Sequence, residues 1–181
     1  MRTKLIGWTL GVVLMVLATS AAAAATQERS DTQIANDISR QINRYAQFTI
    51  FDYVTGSVDN GVVTLTGKVT MPFKKDDIGR KAGEIAGVRE VQNLIDVLPV
   101  SQYDESLRVR IARAIYGNSA FWQYGAMANP PIHIIVDRGH VTLIGVVNNN
   151  VDRMLARSLA VGFGELSVTN ELRTDAEMRS H

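Results

Sequence analysis

The chain has 181 residues, with 19 basic against 18 acidic side chains and no cysteine. Such a balance argues against a nucleic-acid binder, which carries a strongly basic domain. Without cysteine there is neither a disulfide to staple the fold nor a thiol to carry a lipid anchor. Residues 1–25 read as a secretory signal peptide, with Arg2 and Lys4, an apolar run from Leu5 to Leu17, and small residues from Ala21 to Ala25. The apolar run is short for a membrane span. Cleavage after Ala25 fits best, with Ala23 and Ala24 as neighbouring options and a retained signal anchor as the alternative. The expected address is the periplasm.

From residue 30 onward the chain is written twice. Asp59, Gly61, Val63, Thr64, Leu65, Gly67 and Val69 recur as Asp137, Gly139, Val141, Thr142, Leu143, Gly145 and Val147, each 78 residues on. A fixed offset over that many identities marks a tandem duplication. The expected boundaries are 30–99 and 101–175, with 176–181 as a flexible tail.

Each repeat opens with a helix. Ile34, Ile38 and Ile42, and then Leu107, Ile111 and Ile115, recur every four residues and so lie along one stripe. Ser30 with Gln33 makes a capping box, and Ser101 stands three residues before the first-turn acid Asp104. A hairpin follows, turning at Asn60-Gly61 and at Arg138-Gly139, with Val58 opposite Val63 and Val136 opposite Val141. Gly67 and Gly145 fall on the inward face, where close approach of a helix would leave no room for a side chain. A second helix runs from about Pro72 to Ala86 and from about Asn150 to Val161. A last strand carries Val91, Asn93 and Ile95, then Val168, Asn170 and Leu172.

The fold class is therefore α+β: two tandem α-β-β-α-β modules, each a small mixed sheet with two helices on one face. The linker around Pro99 to Gln102 is short. Ile135, Ile144 and Val146 make the second face of the later hairpin apolar, where the earlier one has Ser57, Thr66 and Lys68. The two modules are expected to pack on each other.

The hairpin phrase, together with Gly87-Val88-x-x-Val91-x-Asn93 and Val168-x-Asn170, resembles the BON domain, named for bacterial OsmY and nodulation proteins. The resemblance covers essentially the whole chain after the leader and is similar in layout to two-domain osmotically inducible periplasmic proteins. It implies an envelope or osmotic-stress protein that is no enzyme, with a domain that binds phospholipid or other envelope proteins.

The copies differ most where repeat two has gained five residues between its first helix and its hairpin. Phe121, Trp122 and Tyr124 lie there, ahead of Met127 and Pro130-Pro131, and Arg108, Arg110 and Arg113 lie on the preceding helix. Aromatic rings beside arginines suit anionic headgroups or a protein partner. The competing reading places the rings in a small core and the arginines on a solvated face. No catalytic, cofactor or metal constellation is found. His133 and His140 share a face of the hairpin but stand several rows apart, His181 is remote, and Gly117-Asn118-Ser119 lacks the G-x-S-x-G elbow.

Overall fold

The computed structural model describes residues 29–180; the leader and His181 lie outside the described residues. Repeat one runs α1 (Asp31–Asn43), β1 (Tyr53–Asp59), β2 (Val62–Val69), α2 (Pro72–Gly83) and β3 (Glu90–Val97). Repeat two runs α3 (Gln102–Tyr116), a 3-10 turn (Ser119–Phe121), α4 (Trp122–Gly125), β4 (Ile132–Asp137), β5 (His140–Val147), α5 (Asn150–Leu159), β6 (Ser167–Thr174) and α6 (Asp175–Arg179). No described helix is long and apolar enough to cross a membrane.

In each repeat the hairpin strands are antiparallel, and the last strand joins the second one in parallel after a helical crossover. The registers place Val58 opposite Val63 and Val136 opposite Val141. Asn60, Gly61, Arg138 and Gly139 all have positive φ, as a two-residue turn of this kind demands. Each turn is also clasped from outside. The Asp31 carboxylate accepts the N–H groups of Asn60 and Gly61, and Asp104 accepts those of Arg138 and Gly139, every bond at 2.8–2.9 Å. Asn93 and Asn170 tie the last strand to the crossover helix by donating to the Lys75 and Arg153 carbonyls.

The cores follow the apolar stripes. Ile34, Ile38, Ile42, Val63, Leu65, Ile78 and Ile95 bury in repeat one, and Leu107, Ile111, Ile115, Ile134, Val141 and Leu143 in repeat two.

Two expectations are corrected. Gly67 and Gly145 make no room for a helix. Both have strongly positive φ, and a Cβ would overlap the carbonyl oxygen of Tyr53 or Pro131 on the hairpin's own first strand or just before it. Residues 176–180 do not trail away: Thr174 and Glu177 form a capping box that starts α6, and Glu177 pairs with Arg153 at 2.9 Å.

Among the described residues the repeats touch at several points, and Ile50 and Phe51 pack against the core of repeat two. Ile134 N–H donates to the Ile50 carbonyl at 2.7 Å. Lys68 pairs with Asp137 at 2.6 Å. His133 lies between the rings of Phe48 and Tyr53, with centroids 5.8 and 5.5 Å away. Ile135 is buried, and Tyr53 and Lys68 line a cleft with it and Ile144, so repeat one lies over the second apolar face of the later hairpin.

Candidate membrane- or partner-facing site

The six singled-out residues separate into two groups. Phe121 and Tyr124 are buried, their centroids 5.7 Å apart, and belong to the core of repeat two. The inserted segment folds inward because this small module needs large apolar volume. The Tyr124 hydroxyl donates to Asp152 at 2.6 Å and accepts the Asn148 N–H at 2.9 Å. Burial first, and the Asp152 carboxylate second, push its pKa up to about 12.

Arg108 is also removed from the surface. One of its nitrogens donates to the Val136 carbonyl at 2.8 Å and another to Glu105 at 3.1 Å. It ties helix α3 to strand β4. Neither ring nor this guanidinium is placed to meet an external surface, and the expected six-residue patch shrinks to its outer members.

Trp122 is 76% exposed on the short helix α4. Arg113 is exposed and makes no ion pair among the described residues. Arg110 is half-buried, its guanidinium 6.0 Å from the Phe163 ring centroid. Beside Arg113 lies an apolar hollow of about 630 Å³. Ile50 and Phe51 from repeat one line it, with Ala112, Tyr116, Gly125 and Pro130 from repeat two. Helix α4 therefore carries the exposed tryptophan at one end and a wall of the hollow at the other. The contribution of Ile50 and Phe51 was not legible in the sequence, because nothing in a loop's composition says which module it will lean on.

The histidines stand apart, as their spacing suggested. Burial lowers the pKa of His133, whose Nδ1 has no hydrogen-bond partner among the described residues, while His140 Nδ1 lies 2.8 Å from Ser167 Oγ. Among the described residues no group of three or more His, Asp or Glu side chains could hold a metal ion.

A second polar knot lies at the base of repeat one. Asp52 is fully buried and accepts bonds from Thr49, Thr70 and Lys74, the last at 2.7 Å. Burial opposes its ionisation, but the Lys74 ammonium and the Thr70 and Thr49 donors outweigh that and hold its pKa below the ordinary carboxylate value.

The family model for the BON domain matches residues 30–99 and 104–176. The chain belongs to the BON domain family. Each BON domain coincides with one α-β-β-α-β repeat, and the exposed Trp122 and Arg113 lie in the second. No curated protein matches the chain. Among solved structures, one of CdsD, a structural protein of the type III secretion system of Chlamydia trachomatis, is 16% identical. That alignment covers 80% of this chain and 96% of that one, with a TM-score of 0.27. A second, of the CdsD C-terminal domain, is 14% identical over 80% of this chain and 98% of that one, with a TM-score of 0.29.

Proposed function

We propose that this two-BON protein is an exported, non-enzymatic envelope protein of the periplasm that associates with anionic phospholipid surfaces during osmotic stress. The observation that carries the reading is the exposed Trp122 at the start of α4, the helix whose last residue, Gly125, lines the apolar hollow together with Arg113, a guanidinium without an ion pair among the described residues. An indole favours the wet edge of a bilayer, and a free guanidinium matches a phosphate group. The overall charge gives no general attraction to membranes, so binding would be local, weak and sensitive to salt.

Trp8 lies in the proposed leader, which leaves Trp122 as the single tryptophan of the processed chain. Its fluorescence should shift to the blue on adding phosphatidylglycerol vesicles at low salt and stay unchanged with phosphatidylcholine. Trp122→Ala or Arg113→Glu should abolish co-sedimentation. No shift and no co-sedimentation at low salt would sink the lipid reading.

The same hollow favours one rival, a chaperone-like module that takes apolar side chains of envelope proteins. Suppression of client aggregation in the absence of lipid, lost in Phe51→Asp, would support it.

A further inference from the structure

The two hairpins differ along their outer edges. In a hairpin closed by a two-residue turn, every second residue of the first strand points its N–H and C=O away from the partner strand. With the registers found here, those residues are Val54, Gly56 and Val58 on β1, and Ile132, Ile134 and Val136 on β4. On β4 all three are engaged. The Tyr116 hydroxyl donates to the Ile132 carbonyl at 2.6 Å and accepts its N–H at 3.2 Å. Ile134 N–H meets the Ile50 carbonyl, and Arg108 meets the Val136 carbonyl.

On β1 none of the three has such a partner among the described residues. The 73-residue offset between the first helices puts Ala35 where Arg108 stands and Asn43 where Tyr116 stands, and Asn43, though it shares a cleft with Tyr53 and Thr55, makes no hydrogen bond to the strand. Thr55, Gly56 and Ser57 are exposed. An open row of backbone donors and acceptors is a template for another strand.

The strand also specifies its occupant. Val54-Thr55-Gly56-Ser57-Val58 reads alike from both ends, with glycine at the centre and a hydroxyl residue on either side. We propose that two copies of the chain pair antiparallel through β1, about a two-fold axis at Gly56, into one six-stranded sheet. Self-complementarity of this kind is what an isologous contact requires. Gly56 meets the partner's Gly56, and Val54 meets the partner's Val58, each pair exchanging both backbone bonds. Thr55 then faces the partner's Ser57 on the exposed side. The absence of a side chain at Gly56 leaves the axis clear where the two copies of α1 approach. On the flank marked by Ala35 and Asn43, α1 offers the exposed Ser39 and Asn43, which suits a solvated contact.

Sedimentation velocity over a concentration series, on the chain as the cell processes it and without lipid, tests this. A monomer–dimer equilibrium is expected. Gly56→Pro removes an outward N–H and leaves the β1–β2 ladder bonds alone, since those run through its neighbours. It should weaken pairing about tenfold, the effect of losing two backbone bonds per dimer. A second pair of variants works through charge. Thr55→Lys with Ser57→Lys sets like charges across the axis and should abolish the dimer, whereas Thr55→Glu with Ser57→Lys should keep it. A monomer at every concentration, or a dimer indifferent to the charge pair, overturns the proposal. Amide exchange at Val54, Gly56 and Val58 that slows only when an unfolded polypeptide is added would assign the edge to a foreign strand and equally overturn self-pairing.

Discussion

In repeat one the N–H of Thr70, just ahead of α2, is held by the carboxylate of Asp52, which Lys74 neutralises. In repeat two the N–H of Asn148, the residue 78 positions later, is held by the phenol oxygen of Tyr124, which Asp152 steadies. Pro130 stands where Asp52 would be and can offer no such acceptor. The inserted residues bring in Tyr124 to do the work of the lost ion pair. One fold thus tolerates a fully buried charge pair or a neutral ring at the same point, provided the backbone donor is satisfied.

The sharpest way to break this comparison is Lys74→Met. It leaves the Asp52 carboxylate buried without its cation, a change that costs about 3–5 kcal/mol. Urea unfolding should show repeat one failing first, and the double variant Lys74→Met with Asp52→Leu should recover part of the loss. Tyr124→Phe keeps the ring and removes the hydroxyl, leaving the Asn148 N–H without its acceptor. A loss of about 1–2 kcal/mol is expected, confined to repeat two.

The two knots should also fail at opposite ends of the pH scale. Asp52 is held below its ordinary value, so its contribution is complete above about pH 4 and disappears as pH falls through the lowered native pKa. Tyr124 is raised to about 12, so its contribution is complete below about pH 10 and declines as pH rises through the window up to the native value. Thermal melts across pH should show Asp52→Asn reducing the acid limb without removing it, because the Lys68 ammonium holds Asp137 low as well. Tyr124→Phe should reduce the alkaline limb without removing it, because burial raises Tyr45 and Tyr116 as well. The smallest effect on stability belongs to Trp122→Ala. Exposed and outside both cores, it should change stability by no more than about 0.5 kcal/mol while removing vesicle binding.

Features that both copies state were legible in the sequence. The helix stripes and the hairpin registers follow from periodicity and turn chemistry, which act over a few residues. Asp31 and Asp104 share the 73-residue offset of their helices, yet their grip on the turns stayed hidden. A first-turn acid already has a sufficient local role at a helix N-terminus, and sequence does not show what else faces it. Gly67 and Gly145 announced that no side chain fits but not which neighbour excludes it. Features stated once were the least legible. Nothing marked Asp52 and Lys74 as partners 22 residues apart, or showed that Phe121 and Tyr124 would turn inward while Trp122 stayed out.

The Ile50 carbonyl that completes the edge of β4 has a consequence for the order of events at birth. Whether a chain leaves a ribosome or crosses a membrane its N-terminal half emerges first, so repeat one and its Thr49–Asp52 loop, held by the Asp52 knot, are free to form before β4 appears. The dependence runs one way among the described residues, since repeat two supplies no backbone partner to the edge of β1. The later module therefore emerges beside a neighbour that already offers part of its boundary, and reversing the order of the two repeats in a single chain would take that head start away.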